Sequence, residues 1–269
     1  MRTRDLLFSL ASILFLLSAW GPPEARGAGQ VDVIVDRGVT REAETLTRGA
    51  LDATMNFFNK TYGLSLERKL EIFIVADQQT HVRELRQRYS MPGAMASRNA
   101  RNFGGVASGE VIVVNTNRAG SKLDYVATVC HEIVHIFQNQ ASQGNRYGSI
   151  KWMTEGVAQA LAAQIMAASG IRGALNSQKQ WPEILKKVGN TPRLEHLRTY
   201  RDWDSAGKTF GYPVVYITAS VAVLNLMQEK GTKPLFAFFR NLRSSQPEAA
   251  FFQAFGVNLS DFEKSFRPF

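Results

Sequence analysis

The 269-residue chain carries 32 Lys and Arg against 23 Asp and Glu, a net charge of +9, and has a single cysteine, Cys130. One cysteine excludes an internal disulfide, and no repeat, low-complexity run or Pro-, Gly- or Ser-rich linker divides the chain. The positive balance raises a nucleic-acid surface. However, the basic residues from Arg83 to Arg101, at Lys186, Lys187 and Arg193, and from Arg198 to Arg201 alternate with acidic and apolar ones, and no nucleic-acid motif accompanies them. They read as a solvated face suited to anionic envelope surfaces, and no nucleic-acid partner is expected.

Arg2 and Arg4 precede an apolar run from Leu6 to Trp20, broken by Gly21-Pro22-Pro23 and followed by the small-residue stretch Ala25-Arg26-Gly27. This order of charge, apolar run and small residues reads as an export signal over residues 1–27, leaving residues 28–269 as one domain. The run is shorter than the ~20 residues of a membrane span, so a retained anchor is the weaker alternative. The expected location is therefore periplasmic or secreted.

Val31 to Asp36 and Leu70 to Val75 alternate or run apolar as strands, with an amphipathic helical stretch from Arg41 to Lys60 between them. Gln78 to Tyr89 reads as a helix, Met91 to Asn102 as a polar loop, and Gly104 to Asn115 as a glycine-broken strand or hairpin. From Ser121 onward the pattern is helical almost to the end. Strands first and helices after predict an α+β fold, a strand and helix lobe with a small mixed sheet followed by a mainly helical C-terminal part.

The chemistry concentrates at His131-Glu132-Ile133-Val134-His135 and, twenty positions past His135, at Glu155. On a helix, His131 and His135 project from one face and can hold one metal ion. Glu132 lies about 100° round from His131, which suits a proton acceptor beside the metal better than a ligand. Such a string arises by chance in roughly 1% of chains this long. The second segment, Trp152-Met153-Thr154-Glu155-Gly156-Val157-Ala158, supplies the missing third ligand. The alternative is a pair of surface histidines on a core helix, whose stripe is Leu123, Val126, Cys130, Ile133, Val134 and Phe137. Cys130 lies on that stripe and reads as core packing.

His131-Glu132-x-x-His135 followed by Trp152-x-x-Glu155-Gly156-x-Ala158 resembles the gluzincin metallopeptidases, most closely the small peptidase MA-like domains. Leu194-Glu195-His196-Leu197, the stretch from Tyr216 to Gly231, and Gly256-Val257-Asn258-Leu259 to Phe266 are similar to the parts that follow the ligands there, so the resemblance covers residues 103–267. It implies a zincin-like fold and one Zn2+ ion held by His131, His135 and Glu155. It also implies Glu132 as general base, and a sheet edge at Gly104 to Val106 that pairs with a peptide substrate. A tyrosine is expected to meet the developing oxyanion; counting back from Lys230-Gly231 favours Tyr216, with Tyr212 one turn earlier the alternative.

Around these, Gln159, one turn after Glu155, is expected to help orient the site, and Gly156 to let the two ligand helices approach closely. Trp152 is expected to pack beside the site as a wedge. The stretch from Gln138 to Lys151 reads as a rim loop, and His81 and His196 as solvated surface. The leading expectation is an exported zinc metallopeptidase acting on a peptide or protein. The rival is a weakly active or inactive zincin-fold binding or scaffold module of the cell envelope. Hydrolysis of a non-peptide amide is a third reading. Nothing in the sequence sets an oligomeric state.

Overall fold

The computed structural model describes residues 29–171 and 173–269. The segment read as an export signal lies outside the described residues. Strand β1 (Val31–Val35) leads through helix α1 (Arg41–Tyr62) to β2 (Leu70–Val75). Helices α2 (Gln78–Tyr89) and α3 (Gly93–Asn102) then precede a hairpin of β3 (Gly105–Ser108) and β4 (Val111–Asn115). The sheet order is β1-β2-β4-β3, parallel from β1 through β4 and antiparallel at β3, so β3 forms one edge. The expected mixed sheet is present.

Alternation along the strands assigns the two faces of this sheet. Leu70, Ile72, Ile74, Ile112 and Val114 face the main core with α1 and the first ligand helix. Phe73, Val75 and Val113 face the other way, against Leu85 of α2 and Ala96 and Ala100 of α3. That second face corrects one expectation: Met91 to Asn102 contains a helix rather than a loop throughout. Apolar sheet surface needs a cover, and Ala96 and Ala100, one turn apart, supply a close-fitting one.

The rest is helical: α4 (Lys122–Ser142), α5 (Lys151–Ala168), α6 (Gly173–Val188), α7 (Tyr200–Phe210), α8 (Tyr212–Lys230), α9 (Lys233–Asn241), α10 (Pro247–Phe255) and α11 (Leu259–Ser265). Short 3-10 turns lie at Thr116–Arg118 and Leu194–Leu197. Among the described residues, no helix is long and apolar enough to cross a membrane.

Helix α4 starts where Ser121 accepts a hydrogen bond from the Asp124 amide, a side-chain N-cap. It then runs through the middle of the molecule. Phe137 stacks on Phe58 of α1 with ring centroids 3.9 Å apart, fixing α4 against the N-terminal half. On its other side lies α5, and behind α5 lies α8.

Gly156 explains how close that last approach is. A Cβ there would sit 2.5 Å from the carbonyl oxygen of Ala219 on α8. The glycine therefore admits α8 against α5, rather than bringing the two ligand helices together as expected.

Candidate metal centre

His131 and His135 sit one turn apart on α4, and Glu155 reaches them from the second turn of α5. All three side chains are buried. The Nε2 atoms of the two histidines are 3.0 Å apart. Glu155 Oε2 lies 3.2 Å from that of His131 and 3.5 Å from that of His135. Three donors bound tetrahedrally to zinc at ordinary lengths stand about 3.3 Å from one another. The triangle fits that ion, and two imidazoles with one carboxylate are a suitable donor set.

Tautomer decides whether the imidazoles can bind. Gln138 is buried, its amide nitrogen donates to the Thr154 carbonyl at 3.0 Å, and its oxygen lies 2.8 Å from His135 Nδ1. With the amide so oriented, the oxygen can only accept, so Nδ1 carries the proton and Nε2 keeps its lone pair free. Gln138 thus does what was expected of Gln159, which lines the cavity and bonds neither histidine. It also places the start of the expected rim loop inside α4; the connection between α4 and α5 spans only residues 143–150.

Burial alone would raise the Glu155 carboxyl. The charge of Lys151 and the two imidazoles that face its Oε2 outweigh it and hold the group well below the ordinary range. Glu132 differs. Burial and the nearby Glu155 push it up to about 7, against lowering by His131 and Lys151 and by a hydrogen bond from the Ala107 amide. Glu132 packs directly under β3. A Cβ on Gly105 would lie 2.7 Å from its Cγ and 3.0 Å from its Oε1, so only glycine lets the strand pass this close.

The chain matches no protein-family model, and no curated protein matches it. The site is therefore read from its own geometry.

The two tyrosines left open by the sequence separate clearly. Tyr216 packs 6.1 Å from the His131 ring and edge-on against Trp203 at 5.0 Å. The Tyr212 hydroxyl instead donates to Asp204 Oδ1 at 2.6 Å, and its ring lies over Gly207. Tyr147, from the 143–150 connection, approaches the opposite imidazole, its ring 6.2 Å from that of His135. Burial and the carboxylates of Glu155 and Glu132 push the hydroxyls of both Tyr147 and Tyr216 well above the usual tyrosine value. Both stay protonated as donors.

These groups line a cavity of about 440 Å³, with Gly105 to Ala107 of β3 along one wall and Tyr200, Trp203 and Tyr212 opposite. Trp152 is not among the lining residues. It is buried behind the site, where its Nε1 donates to Glu263 Oε1 at 2.8 Å and ties the start of α5 to α11. Cys130 packs in the core, and burial pushes its thiol up to about 12. His196 is exposed as expected, but His81, on α2, is fully buried. Tyr147, Gln138 and Lys151 were not among the residues the sequence singled out. A glutamine three residues after His135, on the same helical face, was the one local signal available.

Proposed function

We propose that this chain is a zinc-dependent metallopeptidase with a zincin-like fold of the gluzincin kind, acting on peptides or proteins outside the cytoplasm. The reading is supported above all by the donor triangle of His131, His135 and Glu155 with Glu132 beside it under a sheet edge. The signal-like run from Leu6 to Trp20 supports the location.

His131, His135 and Glu155 would hold the ion. When bound, zinc supplies a Lewis acid that polarises the scissile carbonyl and makes a water easier to deprotonate. Every other part belongs to the chain. The free edge of β3 offers backbone groups to an extended peptide, binding it without regard to side chains. Glu132 takes the proton of the attacking water and returns it to the leaving amine. Its carboxylate is held for this by the Ala107 amide. The Tyr216 hydroxyl donates to the carbonyl oxygen as charge develops there.

The test pairs metal analysis of the purified protein with a peptide-library digest. One equivalent of zinc, and cleavage that disappears with a chelator and with Glu132→Gln, is the expected result. Zinc without cleavage points to a binding module. Absence of zinc, or cleavage unchanged by Glu132→Gln, overturns the reading.

A further inference from the structure

Lys151 is placed against the grain of its helix. It occupies the first position of α5, whose first turn holds no acidic residue, so its ammonium stands at the positive end of the helix dipole. Its partner Glu155 follows four residues later, and lysine before glutamate is the weaker order for such a pair. Helix stability does not account for this arrangement. The contact is nevertheless close, Nζ to Glu155 Oε1 at 2.5 Å, with the lysine side chain only 21% exposed.

Two further contacts hold the lysine in place. Its backbone amide donates to the Arg198 carbonyl at 2.7 Å, and its ammonium stands 5.7 Å from the centre of the Tyr200 ring. The two carboxylate oxygens of Glu155 are therefore divided. Oε1 faces Lys151, and Oε2 faces both imidazoles.

We propose that Lys151 is a positioning residue for Glu155, occupying Oε1 so that a divalent cation at His131 and His135 is held by one carboxylate oxygen rather than two. The inference rests on the metal-site reading. Without the ammonium, Oε1 would be a buried anionic oxygen whose nearest available cation is the metal. It would turn toward the ion and take the coordination position that the reaction keeps open. Lys151 thus protects the vacant position by satisfying the oxygen that would fill it.

The test uses cobalt as a spectroscopic probe and zinc for affinity, and neither readout requires turnover. The wild-type protein loaded with Co2+ should show the strong visible bands of four-coordination. Lys151→Met should show bands several-fold weaker, as coordination number rises, and zinc affinity no lower than wild type in competition with a chelator, because a nearby positive charge is removed and an oxygen ligand gained. Lys151→Arg, which keeps a cationic donor, should retain the wild-type bands.

A Lys151→Met spectrum superposable on the wild type overturns the assignment, whatever its affinity. Should that variant fail to fold by circular dichroism, Lys151→Arg decides, and weakened bands there overturn it. A wild-type protein that takes up neither cobalt nor zinc overturns the metal site itself, a result visible before any variant is made.

Discussion

Gln138 accepts the Nδ1 proton of His135 over 2.8 Å, and so sets which nitrogen of that imidazole is free. Its own orientation is fixed by the second ligand helix, since its amide nitrogen donates to Thr154, the residue before Glu155. One buried side chain thus joins the histidine pair to the helix carrying Glu155. Gln138→Leu removes both bonds at similar volume. Zinc affinity should fall by about 10- to 100-fold, the usual effect of losing such a partner. Chelator competition measures the loss, and nitrogen NMR of His135 should report a mixed tautomer. Affinity within twofold of wild type, with the tautomer retained, would remove Gln138 from this role.

Two glycines near the site should fail in different ways. At Gly105 the added methyl meets side chains alone, Glu132 Cγ at 2.7 Å and Thr128 Cγ2 at 3.0 Å, which must shift to admit it. Gly105→Ala should therefore lower kcat at least ~10-fold by misplacing Glu132, at a smaller stability cost than the same change at Gly156. At Gly156 the methyl meets the Ala219 carbonyl and Val223 of α8, and backbone cannot step aside. Gly156→Ala should cost about 3 kcal/mol of stability, read from urea midpoints. Equal stability losses in the two variants would show that side-chain give does not separate them.

The contrast between what the sequence revealed and what it hid follows from range. His131, Glu132 and His135 were legible because helical geometry alone puts them together. Glu155 was legible through its own segment, and the β3 and β4 hairpin through its glycines. Lys151 and Tyr147 were not, because their roles exist only once α4 and α5 have packed and the connection between them has closed over the site. Helix α3 was missed for a related reason. Its helix covers Phe73, Val75 and Val113 with alanines, and alanine spacing gives little apolar contrast in a polar stretch. His81 was misplaced because α2 buries it on folding although the helix begins with the polar run Gln78-Gln79-Thr80.

His81 gives the protein an acid-sensitive point away from His131, His135 and Glu155. Its ring is fully buried and neither nitrogen has a hydrogen-bond partner. Burial, with the charge of Arg118 adding to it, lowers its pKa from 6.5 to about 4. Above pH 6.5 the ring is neutral in both folded and unfolded chains, and its titration takes nothing from stability. As pH falls from 6.5 towards 4, the unfolded chain takes up a proton that the folded one refuses, and about 3 kcal/mol of stability is lost. Below pH 4 this contribution is constant. Urea midpoints between pH 7 and pH 4 should fall more steeply for wild type than for His81→Leu, which removes the titrating ring. Parallel profiles would rule out His81 as the cause.

Tyr216 and Tyr212 were nearly equivalent in sequence, and their surroundings now assign opposite consequences to the same change. Tyr212 has already committed its hydroxyl to Asp204, at the corner where α7 meets α8. Tyr212→Phe should cost about 1 to 3 kcal/mol, the range for a hydrogen bond to a charged group, and leave kcat within a few-fold. The Tyr216 hydroxyl stands beside Glu132 and His131 and stays protonated, its hydrogen-bond partner being Glu155 within the site. Tyr216→Phe should lower kcat by about 100-fold or more, with KM and bound zinc nearly unchanged, because the bond it loses strengthens only as the oxyanion forms. Single-turnover cleavage of one peptide by the two variants separates these outcomes. A larger kcat loss in Tyr212→Phe would move the oxyanion donor one turn back along α8 and require the Asp204 bond to open during the reaction.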